Sequence, residues 1–290
     1  MAEPRAGLLL LDKPPGPTSF AAIASLRPAL GRKLGHAGTL DPFATGLLLV
    51  LAARATRLAP YLGGLPKAYA ATVQLGVRST TGDPEGELER SGGSVTRGDV
   101  EAALAGFRGT IAQVPPAASA VHVGGERAYA RFRRGEIVTV PARTVEIRRL
   151  ELEQFDDDGQ RALLAIECST GTYVRALARD LGEALGVGAH CAALQRTAIG
   201  PFTVAEAASP DAARSEPHAA PAWREPLAAL PWLPLREVDD GEAAALRHGR
   251  TIPARGATGE VRCAADGRLV ALARADGADL RPAVVLEPAG

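Results

Sequence analysis

The stretch GHAGTLDPFATGLLLV, residues 35–50, places Gly35, Gly38 and Gly46 around a single carboxylate, Asp41, with His36, Thr39 and Thr45 beside it and an apolar run behind. Spacing alone allows two readings. Asp41 followed by Pro42 has the form of a helix N-cap with proline at the first helical position, an arrangement worth ~1 kcal/mol of helix stability. The glycines equally let a second piece of chain come close, and a short Asp on a stiff loop can be aimed as a nucleophile.

Outward from this stretch, residues 8–12 read as a buried strand and Pro14-Pro15-Gly16-Pro17 as a rigid turn. Thr18 or Ser19 then caps a helix expected to run to about residue 30. From Lys67 the alternation Tyr69, Ala71, Val73, Leu75 has the period of a half-buried strand, so Tyr69 shares a face with apolar residues. Residues 99–107 read as a short helix, and 145–155 and 161–168 as strands paired around Asp156-Asp157-Asp158-Gly159. Val174, Leu177, Ala178, Leu181 and Leu185 follow helical spacing, with Gly186 placed to stop the helix. Residues 204–232, rich in Ala and Pro, read as a linker to a small β-rich module with strands at 259–263, 269–273 and 283–287. Periodicity alone therefore supports a mixed α and β chain in two domains, 1–231 and 232–290.

Composition narrows the class. With 46% apolar and 23% charged residues over 290, the chain can bury a sizeable core. Cys168, Cys191 and Cys263 are odd in number and widely spaced, and the five histidines lack ligand spacing. A reducing, cytoplasmic setting without metal or membrane is expected. The 33 basic and 33 acidic residues cancel, but not evenly along the chain. Residues 1–78 hold nine Lys/Arg against three acids, and Arg127, Arg131, Arg133, Arg134, Arg143 and Arg148 form a second cluster. Two basic patches could hold a phosphate backbone.

The segment Gly35-His36-Ala37-Gly38-Thr39-Leu40-Asp41-Pro42 resembles the GHxGTLDP motif of the TruB family, the bacterial tRNA pseudouridine-55 synthases. Three further blocks resemble that family in the same order. They are LDKPPGPTSF at 11–20, KAYAATVQLGVRSTTGD at 67–83, and STGTYVRALARDLGEALGVGAHCAALQRTAIGPF at 169–202. Residues 113–136 resemble its inserted thumb loop, and 232–290 more distantly a PUA-type RNA-binding module.

The resemblance implies an α+β fold: a mixed, mainly antiparallel sheet flanked by helices, with the thumb insertion and the small C-terminal module. It implies isomerisation of uridine 55 in the tRNA T-loop by base flipping, without cofactor or metal and without an obligate protein partner. Asp41 maps to the nucleophile, Arg175 to its ion-pair partner, and Tyr69 to the ring that stacks on the flipped base. Tyr173 and Leu194 map to pocket walls, and His36 to the side chain that fills the space the base leaves. Lys13 would support the opening turn or touch phosphate, and Arg127, Arg131 and Arg134 of the thumb would grip RNA. Departures are Ser79 in the second block, Gln195 in place of a usual arginine, and Glu126 where lysine is common. Two rival readings are a guide-RNA-dependent synthase of the same family, against which Asp-Pro-Phe-Ala-Thr-Gly looks bacterial, and a tRNA-folding chaperone using the same surfaces.

Overall fold

Four consecutive leucines, Leu8 to Leu11, cannot all face one side of a strand, and the chain buries both faces of β1 (Gly7–Lys13). This computed structural model describes residues 5–287 apart from 120 and 137; the side chains of 122, 123, 127, 130 and 133 also lie outside the described part. Thr18 caps α1 (Ser19–Ala24), accepting from the Ala21 amide at 3.1 Å. The helix expected to continue to about residue 30 breaks at Ser25. It restarts as α2 (Arg27–Leu30) with Pro28 in its first turn, where no N–H is needed.

The antiparallel pair β2 (Leu34–Ala37) and β3 (Thr45–Ala52) follows, separated by the 38–44 loop. No helix starts at Pro42, which corrects the N-cap reading of Asp41. The chain makes a tight turn, with the Ala44 amide donating to the Asp41 carbonyl at 3.2 Å, and enters β3, buried on both faces from Gly46 onward. After α3 (Ala59–Gly63), β4 (Lys67–Leu75) shows the expected alternation. The hairpin of β5 (Val77–Ser79) and β6 (Leu88–Arg90) precedes α4 (Arg97–Leu104), which opens with a Thr96–Asp99 capping box, and β7 (Gly109–Gln113).

The segment 113–136 contains a minimal hairpin, β8 (His122–Val123) with β9 (Glu126–Arg127), and α5 (Ala128–Arg133). The long pair β10 (Arg143–Asp156) and β11 (Arg161–Cys168) leads to α6 (Val174–Ala184), β12 (Ala189–Ile199) and β13 (Phe202–Thr203). Residues 204–232 are more than a linker. They hold α7 (Pro210–Ser215) and β14 (Trp223–Arg224), which pairs with β1 and buries Trp223. Ala and Pro dominate this stretch, but the buried indole of Trp223 anchors it. The C-terminal part adds β15 (Leu235–Glu237), α8 (Asp240–Arg247), β16 (Ile252–Pro253), β17 (Glu260–Ala265), β18 (Arg268–Asp276) and β19 (Asp279–Val285).

The large sheet has ten strands in the order β14-β1-β3-β12-β4-β11-β10-β7, with β2 on β3 and β13 on β12. Among its described pairings all are antiparallel except β3–β12. The second sheet runs β15-β17-β18-β19-β16. Leu269, Leu272 and Leu286 join Leu8, Leu10 and Leu49 in one apolar cluster, so the smaller sheet sits directly against the larger. The architecture is α+β with a mainly antiparallel mixed sheet, as the motif order implies. Among the described residues no helix is long and apolar enough to cross a membrane.

Candidate active site

The parallel contact at the centre of the sheet sets the site. There Gln195 opposes Thr45 and Arg196 opposes Gly46. Gly46 has φ +98°, and a Cβ at that position would lie 2.3 Å from the Arg196 carbonyl oxygen, so only glycine lets the strands meet. Arg196 alternates with Leu194 on the inward face of β12 and is 1% exposed. Its guanidinium donates to the carbonyls of Leu47 (2.8 Å), Gly38 (3.0 Å) and Thr39 (3.3 Å), bracing the 38–44 loop from below.

Two further ties fix that loop. The buried Ser19 hydroxyl accepts from the Leu40 amide at 2.8 Å and lies 3.0 Å from the Leu40 carbonyl, to which it donates. Lys13 Nζ donates to the carbonyls of Pro14, Pro17 and Pro42 at 2.8, 2.9 and 3.0 Å. Burial brings the Lys13 pKa down to about 8, partly offset by Asp41.

On this loop Asp41 meets Arg175, which projects from the first turn of α6. Nε and Nη2 donate to Oδ2 and Oδ1 at 2.9 Å each, a two-pronged pair that fixes the carboxylate plane. The same guanidinium donates to the Thr81 carbonyl (2.8 Å) and the Ala118 carbonyl (2.9 Å), and lies 3.1 Å from Asp83 Oδ2. Asp83 in turn accepts from Thr81 Oγ1 at 2.6 Å and the Glu85 amide at 3.1 Å. The Arg175 and Asp83 side chains are almost wholly buried, whereas the Asp41 side chain keeps 34% of its surface. Asp41 is thus the accessible end of a buried charge chain.

It opens into a cavity of about 250 Å³ walled by Thr39, Lys67, Tyr69, Tyr173, Leu194 and Arg196. Tyr69 lies directly across β4–β12 from Arg196. Burial pushes the Tyr69 phenol pKa up, and the positive charge of Arg196 opposes that shift. Lys67 Nζ donates to the carbonyls of Gly63 (2.9 Å) and Leu65 (2.7 Å). Burial and then Arg196 bring its pKa down to about 8. Tyr173 is pinned through its backbone by buried Gln113, which donates to its carbonyl at 3.1 Å and accepts from its amide at 2.8 Å.

The fold brings Asp41, Tyr69, Tyr173, Arg175 and Leu194 around this one cavity. His36 and Lys13 do not line it. His36 sits on β2, where burial and then Arg196 lower its pKa. Lys13 is wrapped by carbonyls, so its position is that of a brace and not of a phosphate contact. The Arg127 side chain lies outside the described part. Arg131 is paired with Glu136 at 2.7 Å, and Arg134 with Glu126 at 2.6 Å and with Glu136 at 2.7 Å. Sequence reasoning did not single out Asp83, Arg196, Lys67 or Gln113. The available signal was an arginine at an inward strand position two residues after Leu194.

A larger cavity of about 760 Å³ lies between the two sheets, but its charged lining is largely self-paired. Arg5 meets Glu225, and Arg247 and Arg268 meet Glu287 at 3.2 and 2.8 Å.

Residues 27–174 match the TruB family pseudouridylate synthase N-terminal domain. Residues 175–212 match the tRNA pseudouridylate synthase B C-terminal domain, and 233–287 the tRNA pseudouridine synthase II C-terminal region. The chain is 45% identical to a tRNA pseudouridine synthase B of Nocardia farcinica (strain IFM 10152), covering 99% of this chain and 95% of that one. It is 42% identical to the protein of the same name from Arthrobacter sp. (strain FB24), covering 97% of each. Among solved structures, an H/ACA RNP bound to a substrate RNA containing 2'-deoxyuridine is similar with TM-score 0.73 and 26% identity, over 97% of this chain and 85% of that one. A Cbf5-Nop10-Gar1 complex is similar with TM-score 0.73 and 28% identity over the same shares. The chain belongs to the TruB family of pseudouridylate synthases and is an isomerase.

Proposed function

We propose that this protein converts uridine 55 in the T-loop of tRNA to pseudouridine, with Asp41 as the nucleophile acting on a base flipped into the cavity. The observation that carries this reading is the two-pronged Arg175–Asp41 pair, which aims one partly accessible carboxylate into a nucleotide-sized pocket. The reaction breaks the bond between uracil nitrogen 1 and ribose carbon 1′, forms a bond from carbon 5 to the same ribose carbon, and moves a proton from carbon 5 to nitrogen 1. Nothing is oxidised or lost, so the groups required are a nucleophile, a holder for the rotating base and a proton acceptor near carbon 5.

Asp41 supplies the first, whether its oxygen bonds uracil carbon 6 or ribose carbon 1′. Arg175 compensates the carboxylate charge as the base displaces water. Tyr69 stacks on the uracil and takes up the carbon 5 proton, and Tyr173 and Leu194 close the pocket. His36, on the neighbouring strand, occupies the space that the base vacates. The segment around α5 grips the T-arm, and the 232–290 module acts as a PUA-like RNA contact beyond the catalytic domain, 1–231. The relatives' name and their match along nearly the whole chain support tRNA as the substrate; action on it without guide RNA, in the cytoplasm, belongs to the same proposal.

The test is tritium release from 5-tritiated uridine in a T-arm stem-loop, with no other protein added. Wild type is expected to release tritium, and Asp41→Asn to release none while binding the RNA. Tight binding without release by wild type would leave only a chaperone role.

A further inference from the structure

Arg143 opens β10 opposite Gln113 of β7, the same Gln113 that pins the Tyr173 backbone. Its guanidinium carbon lies 5.9 Å from the centroid of the Tyr173 ring, and a Cβ placed on Gly171 would lie 3.9 Å from its Nη1. Gly171 and Tyr173 both wall the cavity that holds Asp41, so Arg143 stands at its rim. Only part of the residue is exposed, and its Nε is buried without a hydrogen-bond acceptor among the described residues.

That state contrasts with every other arginine of the site. Arg175 meets two carboxylates and two carbonyls, and Arg196 three carbonyls. The acid closest to Arg143 along its strand, Glu146, is paired with Arg148 at 2.9 Å. A half-buried guanidinium that meets no anion among the described residues has lost hydration and gained only the face of a tyrosine ring. Its planar fork suits two oxygens of one phosphate.

We propose that Arg143 is a phosphate site. On the functional reading above, it takes the backbone phosphate of the nucleotide whose base enters the cavity, and so holds the flipped nucleotide at its charged end. Tyr173 would then serve twice, one part of the ring walling the base pocket and one face orienting Arg143. The site requires a diester phosphate within reach of the rim and makes no demand on base identity.

The test compares wild type, Arg143→Lys and Arg143→Met, measuring T-arm stem-loop affinity across a salt series, the single-turnover rate at saturating RNA, and the urea midpoint. Arg143→Met is expected to weaken binding about tenfold and to flatten the slope of log affinity against log salt by about 0.7, the value for one single-strand phosphate contact. Arg143→Lys should restore the slope but not the whole affinity, because a point charge replaces the fork. The saturated rate should fall by less than the affinity does, and the urea midpoint should stay near wild type, since Arg143 makes no ion pair with the described residues. Unchanged affinity in Arg143→Met, or weakened binding with an unchanged salt slope, would overturn the proposal; the second result would assign Arg143 to packing on Tyr173. Failure of the functional reading shows separately, as wild type that binds the RNA but forms no pseudouridine.

Discussion

Arg175 and Asp83 form a 3.1 Å ion pair whose side chains are 4% and 6% exposed, deeper than the pair that Arg175 makes with Asp41. Asp83 therefore fixes the guanidinium from the rear, and the guanidinium presents Asp41 at the front. Of the two carboxylates that Arg175 meets, the accessible one, Asp41, is the one with room for a substrate.

Asp83→Asn keeps the shape but removes the rear charge. The folded protein is expected to lose ~3 kcal/mol by urea titration, as for a broken buried pair. Single-turnover pseudouridine formation should fall about 100-fold or more, a loss of ~3 kcal/mol of transition-state stabilisation. RNA affinity should change by less than a factor of about three.

Tyr69→Phe keeps the stacking ring and removes the hydroxyl. The isomerisation rate at saturating RNA should drop by ~10²–10⁴, the usual range for a lost acid–base group, with RNA binding intact. Tyr69→Leu should in addition weaken RNA binding by ~1–3 kcal/mol, the value of one base stacked on an aromatic ring. Equal rates for wild type and Tyr69→Phe would remove the hydroxyl from the chemistry.

Lys67 gives a pH dependence of defined sign. Its pKa falls from 10.5 to about 8 on folding, so below pH 8 the folded state carries the cost of a buried charge. Between pH 8 and 10.5 the unfolded chain binds a proton that the folded chain has released, and stability rises with pH. Relative to Lys67→Met, wild type should gain up to ~1.4 kcal/mol per pH unit in that window, read from urea midpoints at each pH.

Gly46→Ala tests the close strand contact. The added methyl would sit 2.3 Å from the Arg196 carbonyl oxygen at φ +98°. A loss of at least ~3 kcal/mol is expected from the clash and the left-handed backbone together, visible as a lower Tm and loss of isomerisation.

Glu126 and Glu136 hold Arg131 and Arg134 in the segment around α5. Changing both to Gln removes two repulsive charges and frees both guanidiniums. T-arm affinity should rise about two- to fivefold at low salt, with a steeper salt dependence. An unchanged salt slope would remove these arginines from the RNA interface.

Much of this architecture was legible in the sequence. The alternation around Tyr69, the helix of Val174 and Leu181, and the paired strands about Asp156–Gly159 all occur because burial periodicity is local information. The break at Ser25, the absence of a helix after Pro42 and the docking of Trp223 on β1 were not legible, since tertiary partners decide each of them. At the site, motif order located Asp41, Tyr69 and Arg175. Arg196 and Asp83 escaped notice because their importance lies in what they touch, and a buried charge cannot be told from an exposed one by spacing.

The central parallel contact also has a meaning in time. Asp41 is 134 residues from Arg175, and the loop before it is braced by Arg196, 157 and 158 residues from Thr39 and Gly38. A ribosome adding about 5–20 residues per second needs roughly 7–30 s to travel from the one aspartate to its arginine. Throughout that interval the nascent chain carries an aspartate that nothing aims, and a product truncated before β12 would possess the motif without the centre. Assembly of the Asp41 site thus waits until β12 has been made, after the 38–44 loop but before the C-terminal module.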